Sequence, residues 1–314
     1  MRIATIDIGT VTSRLLIADV EGARVVPVVR HAVITNIGEG TDATGYLKPE
    51  AIARTVDCVR AYVDEIRSFD DSEAPVHRIV AMATSASRDA YNAHDFVSEL
   101  EKLGVTLSVI PGEREAELSF MGAANDFCNE DVLVVDVGGG STEVVLGRAY
   151  TDGSAAVPSV QMYACESFNV GCRRMTERFM LNDCATQEHY DKARMWAYDT
   201  FAPFFKGKKI PDRIIAVAGT ATTAVSIREA MDVYDPDRVH KSVVSHAELK
   251  DLFESLSGMT LEQKCQVKGL QPARASVIVA GFLILDVVLE LACAESFTVS
   301  ENDILQGIAL SAAI

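Results

Sequence analysis

The segment ATIDIGTVTSRLLIA (residues 4–18) lies over LVVDVGGGSTEVVLG (residues 133–147) without a gap. Asp7 falls on Asp136, Gly9 on Gly138, Thr12 on Ser141 and Arg14 on Glu143, a constant offset of 129 residues. A period this long is a duplicated domain, because solenoid repeats run at about 20–50 residues. Each copy reads apolar run, Asp, glycine-bearing turn, apolar run, which is a strand, a turn and a strand. A fold for this chain must therefore put two such hairpins at equivalent places in two similar domains. The length, 314 residues, suits two domains of about 100–200 residues each.

Around the first hairpin, the runs Ile3–Asp7, Leu15–Val20 and Val25–Ile34 predict a three-strand meander. A helix follows from Lys48 to about Ser68, with Pro49 in its first turn. His77–Thr84 predicts a strand, Asp95–Leu103 a helix closed by Gly104, Val105–Ile110 a strand, and Gly112–Asn125 a helix. The order is βββαβαβα. The second half restarts with strands at Val132–Asp136, Thr142–Leu146 and Ser159–Phe168, the last after a Gly/Ser/Pro loop at Gly153–Pro158. A helical stretch over Cys172–Phe205, a strand at Ile214–Ala218 and a helix at Thr220–Met231 come next. More helices lead to a strand at Phe297–Val299 and a last helix after Glu301. The class is α/β, built twice.

Hydrophobic residues make up 48% of the chain, enough to bury a core and exclude a disordered protein. The formal charge of −16 argues against general binding to nucleic acid or an anionic membrane, since its far field repels phosphate. The seven cysteines (Cys58, Cys128, Cys165, Cys172, Cys184, Cys265 and Cys293) form no CxxC pair. They are expected as reduced thiols in a cytoplasmic protein. No secretory apolar region follows Met1, and Val277–Leu285 is too short to span a bilayer and reads as a buried helix.

The turns carry the chemistry. Glycine lets successive backbone N–H groups converge on one spot, a nest for a phosphate oxygen. The hydroxyls of Thr10, Thr12, Ser13, Ser141 and Thr142 add donors. A buried carboxylate cannot face phosphate unaided, so Asp7 and Asp136 imply a divalent cation or an oriented water. Neither turn is a Walker loop, because the lysine is absent and a strand follows. Either hairpin alone reads equally well as an ordinary polar turn; two copies in one register do not. A third element, AVAGTATTAVSI (residues 216–227), ends a strand at Ala218, turns at Gly219 and starts a helix at Thr220. Free N–H groups at a helix start suit an anion, although this segment alone is also a plain Thr-capped helix.

Together these segments resemble the phosphate-1, phosphate-2 and adenosine motifs of the actin-like ATPase superfold. Nearly the whole chain resembles the exopolyphosphatase / guanosine pentaphosphate phosphohydrolase family. DIGTVTSRLL and DVGGGSTEVV resemble its two phosphate loops, ATSASRDAYN (residues 83–92) its phosphate-contacting arginine segment, and PGEREAELSF (residues 111–120) the segment bearing its general base. FNVGCRRMTERF (residues 168–179) and RASVIVAGFLIL (residues 274–285) also fit. The resemblance implies two duplicated actin-like (ribonuclease H-like) domains with a cleft between them: residues 1–125 plus 301–314, and residues 126–300. It implies Mg²⁺-dependent hydrolysis of the terminal phosphoryl group of inorganic polyphosphate, with guanosine pentaphosphate as a further substrate and a homodimer as the assembly. Its general base falls on Glu115 and its arginine on Arg88. Phosphate would be held by Gly9, Thr10, Thr12, Ser13 and Arg14, and by Gly138, Gly139, Gly140, Ser141 and Thr142. Gly171, Gly219, Thr220 and Ala221 would add to them. Mg²⁺ would be held through Asp136 and Glu143, with Asp7 near it.

Read without the resemblance, Glu115 is one of three acids, with Glu113 and Glu117, on a solvated helix face. Arg14 could aim into the cleft or away from it. Arg173, Arg174 and Arg178, and the run 206–209, are either a polyanion track or a basic patch. The six histidines show no metal-ligand spacing. The chain departs from the family pattern at Val11, where an Asn is usual, at Arg114, in place of an acid, and at Ser276, also in place of an acid. The usual G-L-R-E-G becomes Asp303-Ile304-Leu305-Gln306-Gly307. Two other functions use the same elements: a non-catalytic binder of polyphosphate or guanosine polyphosphates, and an actin-like sugar kinase.

Overall fold

In the computed structural model, the first strands of the two repeats start and stop at the same 129-residue offset, Arg2–Ile8 and Asp131–Val137. The structure describes residues 1–70, 72–151, 157–183 and 185–314; Cys184 and most of the loop at 153–158 lie outside the described residues. The first repeat builds β1 (Arg2–Ile8), β2 (Thr12–Glu21), β3 (Arg24–Ile34), α1 (Thr41–Thr44), α2 (Pro49–Arg67) and β4 (Arg78–Ala83). It continues through α3 (Ser85–Asp89), α4 (Ala93–Glu101), β5 (Leu107–Val109) and α5 (Gly112–Ala124). The second repeat builds β6 (Asp131–Val137), β7 (Thr142–Tyr150), β8 (Ser159–Phe168), α6 (Cys172–Phe179), α7 (Gln187–Phe205), β9 (Ile214–Val217) and α8 (Ala218–Arg228). After it come α9 (Pro236–Val239), β10 (Val243–Ser245), α10 (His246–Ser257), α11 (Leu261–Lys264), α12 (Ile278–Ala292), β11 (Ser296–Val299) and α13 (Ile304–Ala312).

The strand order of the first sheet is β3-β2-β1-β4-β5. The second is β10-β11-β9-β6-β7-β8, the same order with one more strand at its edge. In both, the meander is continued by a strand parallel to the first: β4 pairs with β1, and β9 with β6. Ile8 stands beside Ala83, and Asp136 beside Val217. Parallel neighbours end on the same edge of a sheet. The glycine turn after the first strand and the helix start after the fourth are thus brought together, at the carboxyl edge where α/β sheets take ligands.

The backbone contacts divide into two compact units, Met1–Glu130 with Arg148–Gln161 and Asp303–Ile314, and Asp131–Gly147 with Met162–Asn302. The sequence division assigns 148–161 wholly to the second domain; here Val157 and Val160 pack on Ile3, Val20 and Leu310, which draws that segment to the first unit.

The first sheet shows the period of two expected of strands. Ala4, Ile6, Ile8, Leu15 and Ile17 join a core with Val59 of α2 and Phe96 of α4. Their neighbours turn the other way: Ile3 packs with Met121 and Leu310, and Leu16 and Ala18 with Leu305. α5 and α13 cover that second face. In the second unit α12 is buried from Ile278 to Leu289. Its one buried acid, Asp286, is met by Arg194 of α7 and by His246 Nε2 at 2.6 Å. No helix among the described residues is long and apolar enough to cross a membrane. The six described cysteines are free thiols.

Several local features depart from the sequence expectations. The helical stretch over Cys172–Phe205 is two helices, broken where Met180 turns left-handed at φ 53°. β5 keeps only three residues. α1, α3 and β10 appear where no element is predicted, all too short to show a period.

Candidate functional site

The two turns close in the same way. Gly9 N–H donates to the Thr12 carbonyl at 3.0 Å, and Gly138 N–H to the Ser141 carbonyl at 3.0 Å. A Cβ on Gly9 or Gly138 would press on that same carbonyl, at 3.2 and 3.1 Å. In each copy the chain that leaves the third strand grips the turn's carbonyls. After β3, Thr35 and Asn36 N–H bind the Val11 carbonyl at 3.0 and 2.9 Å, and Gly38 N–H binds that of Thr10 at 3.0 Å. After β8, Cys172 N–H binds the Gly138 carbonyl at 2.9 Å and Arg173 N–H that of Gly139 at 2.8 Å. Across a trans peptide the next N–H points opposite to the carbonyl. Pinning these carbonyls therefore aims the N–H groups of Val11 and Thr12, and of Gly139 and Gly140, away from the supporting segment. This is the donor half of an anion nest.

In the first unit Asp7 is 3% exposed, one residue before the end of β1. Its register partner on β2 is Arg14. Arg14 Nη2 and Nε meet Asp7 Oδ2 at 2.6 and 3.0 Å, and Arg14 Nη1 meets Asp303 Oδ2. The guanidinium placed by sequence among the phosphate ligands is thus engaged by two carboxylates. Burial pushes the Asp7 carboxyl up, and the Arg14 charge draws it back down. The Ser13 hydroxyl shares a hydrogen bond with Thr35 Oγ1 at 2.9 Å, and Tyr62 OH donates to the Ser13 carbonyl at 2.8 Å. Asp7 Oδ1, Thr10 Oγ1 and Ser87 Oγ are buried and have no hydrogen-bond partner among the described residues. Gly38 holds two of these segments close: a Cβ there would run into the side chains of both Thr10 and Ala86.

Arg88 closes α3, and Glu115, 8% exposed, lies in the first turn of α5. Arg88 Nη1 donates to the Ile110 carbonyl at 3.0 Å and to Glu115 Oε2 at 3.2 Å. The helix start and the guanidinium both place positive charge beside this carboxylate. Its neighbours differ: Glu113 is exposed, and Arg114 spans to Glu117 Oε2 at 2.5 Å and Ser311 Oγ of α13 at 2.8 Å.

In the second unit Asp136 occupies the same strand position in β6 as Asp7 in β1. Glu143 on β7 is 1% exposed and accepts from Ser167 Oγ at 2.6 Å. The Thr142 hydroxyl donates to the Val170 carbonyl at 2.5 Å. Gly171 backs the turn: a Cβ there would strike the backbone of Gly139 and Gly140. Ala218, at φ 63°, opens α8 in a conformation that side chains avoid. Thr220 Oγ1 then reaches the Val137 carbonyl at 3.4 Å, and Ala221 is fully buried. Gly219 lies under the Arg274 guanidinium. Arg174 Nε donates to the Gly140 carbonyl at 2.8 Å, Arg178 lies 4.7 Å over the Trp196 ring, and Lys208 lies 4.7 Å over Phe204. These cations brace their own surroundings.

Among the described residues no three His, Cys, Asp or Glu side chains group as a metal cage. Magnesium does not need one: it keeps its waters and takes one or two carboxylates with phosphate oxygens. The bare, buried Oδ1 of Asp7 is an oxygen of the required kind.

Sequence reasoning passed over Ser87 and Asp303. Ser87 had a signal, a hydroxyl-rich stretch straight after a parallel strand. Asp303 had another, the Asp-x-x-Gln spacing of a capping box ahead of an apolar run.

A repeated βββαβα unit with a glycine turn after its first strand and a helix start after its fourth defines the actin-like ATPase fold. The chain belongs to the Ppx/GppA phosphatase family, whose model matches residues 16–313. It is 37% identical over 333 residues to exopolyphosphatase 2 of Mycobacterium tuberculosis, covering 99% of this chain and 98% of that protein. Among solved structures, it is similar to an exopolyphosphatase-like protein at 33% identity and a TM-score of 0.88, covering 99% and 97% of the two chains. The Aquifex aeolicus Ppx/GppA family member is similar at 28% identity and a TM-score of 0.80, covering 100% and 97%.

Proposed function

We propose that the protein is a Mg²⁺-dependent exopolyphosphatase that releases orthophosphate from the end of inorganic polyphosphate. The observation that carries this reading is a set of buried, unsatisfied hydroxyls at Thr10 and Ser87, in the same unit as a positioned Glu115–Arg88 pair. It occurs in a chain that aligns end to end with an exopolyphosphatase. Buried polar groups ordinarily have partners, and those that lack one within the protein are suited to a ligand that supplies it.

Phosphoryl transfer asks for positioning and charge neutralisation more than covalent chemistry. Thr10, Thr12 and Ser87, with the N–H groups of the first turn, offer donors to the terminal phosphoryl oxygens. Gly139, Gly140 and Ser141 offer the same in the second unit. Arg88 neutralises negative charge and holds the Glu115 carboxylate in place. Glu115 orients the attacking water and takes its proton. The carboxylates offered to magnesium are Asp7 in the first unit and Asp136 with Glu143 in the second. Bound there, the ion would offset the phosphate charge that these acids would otherwise repel. Guanosine pentaphosphate enters the same proposal as a second substrate, through its terminal phosphoryl group.

The test is orthophosphate release from polyphosphate of defined length, with Mg²⁺ and with chelator, alongside guanosine pentaphosphate. Release that needs the divalent ion is the expected result. Tight binding without release would favour a sensor. Release that needs ATP and a sugar would favour a kinase.

A further inference from the structure

Asp7 is held on one oxygen only. Arg14 donates twice to Oδ2, and Oδ1 is buried and bare. A long arginine side chain does not hold such an orientation unaided, because it has many rotamers to lose. Here the third contact is Asp303, which accepts from Arg14 Nη1. Asp303 is fixed in turn. Its Oδ1 accepts from Leu305 N–H at 3.0 Å, and its own N–H donates to Gln306 Oε1 at 3.0 Å, so it caps α13. The Leu305 carbonyl accepts from Thr5 Oγ1 of β1 at 3.3 Å. Gly122 of α5 lies so close to the Asp303 carbonyl that a Cβ there would overlap it. Leu305 and Gln306 stand where the family resemblance puts Arg and Glu, and the acid of this segment that meets Arg14 is Asp303.

We propose that Asp303 is a positioning residue that acts through Arg14 to fix which oxygen of Asp7 faces the reaction site. The proposal rests on Asp7 belonging to that site. Asp303 has two roles here, a cap and a countercharge, and they are separable. Asparagine caps a helix as well as aspartate does, but it carries no charge for Arg14.

The experiment compares wild type, Asp303→Asn, Asp303→Ala and Arg14→Gln by melting temperature, by kcat and KM on polyphosphate, and by crystal structures. Asp303→Asn is expected to melt close to wild type and to lose about tenfold or more in kcat with little change in KM, as misplacement of a reacting group does. Its crystal structure should show the Asp7 carboxylate turned from its wild-type position. Asp303→Ala should lose thermal stability as well. Arg14→Gln leaves the cap intact and should reproduce the kcat loss. Combined with Asp303→Asn it should cost no more than the larger single change, since both break one link. Wild-type kcat in Asp303→Asn, with Asp7 unmoved in the crystal, would overturn the proposal and leave Asp303 a helix cap. If wild type itself releases no phosphate, the functional reading fails, and the Asp7 position in the variant structures still decides this point.

Discussion

Replacing Glu115 with Gln is expected to lower the rate of orthophosphate release by about 10³-fold, within the range that a lost general base costs. Gln fills the same space and still accepts from Arg88 through its amide oxygen, so Glu115→Gln should fold and bind polyphosphate as wild type does. On the proposed mechanism the change removes what an amide cannot do, taking a proton from water, and leaves the contact with Arg88 in place. Of the three acids of α5, only Glu115 is buried and joined to Arg88, while Glu113 is exposed and Glu117 is held by Arg114. Glu113→Gln should therefore keep wild-type turnover. Steady-state rates for the two variants, with binding measured separately by calorimetry, check this. Equal losses in both would mean that the acids act only through local charge.

The largest effect on stability is expected at the crossing of α5 and α13. Gly122 and Gly307 let the two helices touch through their backbones. A Cβ on Gly122 would overlap the Asp303 carbonyl, and one on Gly307 would overlap that of Leu118. The obstacle is backbone in both cases, so no side chain can swing aside and the helices must part. Overpacking of this kind costs about 1–3 kcal/mol and more where backbone has to move. Gly307→Ala should lower the melting temperature by about 5–10 °C. Gly258→Ala is the control: its φ is −81° and the nearest atom to its Cβ lies 4.0 Å away. Scanning calorimetry of the three proteins checks this. An unchanged midpoint in Gly307→Ala would mean that α13 does not sit against α5 as described. Because Asp303 caps α13, parting the helices should also slow turnover.

Much of this arrangement is legible in the sequence, for physical reasons. The two hairpins share a register because each needs the same turn at the end of a buried strand, and identical needs leave identical residues. Strands such as Ser159–Phe168 fall where predicted because their flanks are turn formers. The helix at Ser85–Asp89 escapes notice because five residues with two serines have little helical preference of their own; its place after β4 holds it. The break at Met180 escapes for a similar reason, since a left-handed cap usually announces itself with glycine. Site residues divide in the same way. Asp7, Glu115 and the turn glycines belong to local motifs. The pairing of Arg14 with Asp303 spans 289 residues and depends on how α13 is seated. Gly171 reads as a phosphate ligand in sequence, yet its place against Gly139 and Gly140 makes it a support for the turn.

Attack at the end of the polyphosphate chain is read out by ³¹P magnetic resonance of polyphosphate during turnover. Terminal hydrolysis predicts an orthophosphate signal from the first minutes, rising as internal phosphate falls, with the number of chain ends steady until chains are exhausted. A rise in chain ends before orthophosphate appears would mean internal cleavage, and an unchanging spectrum with Mg²⁺ present would mean no hydrolysis; either would contradict the account.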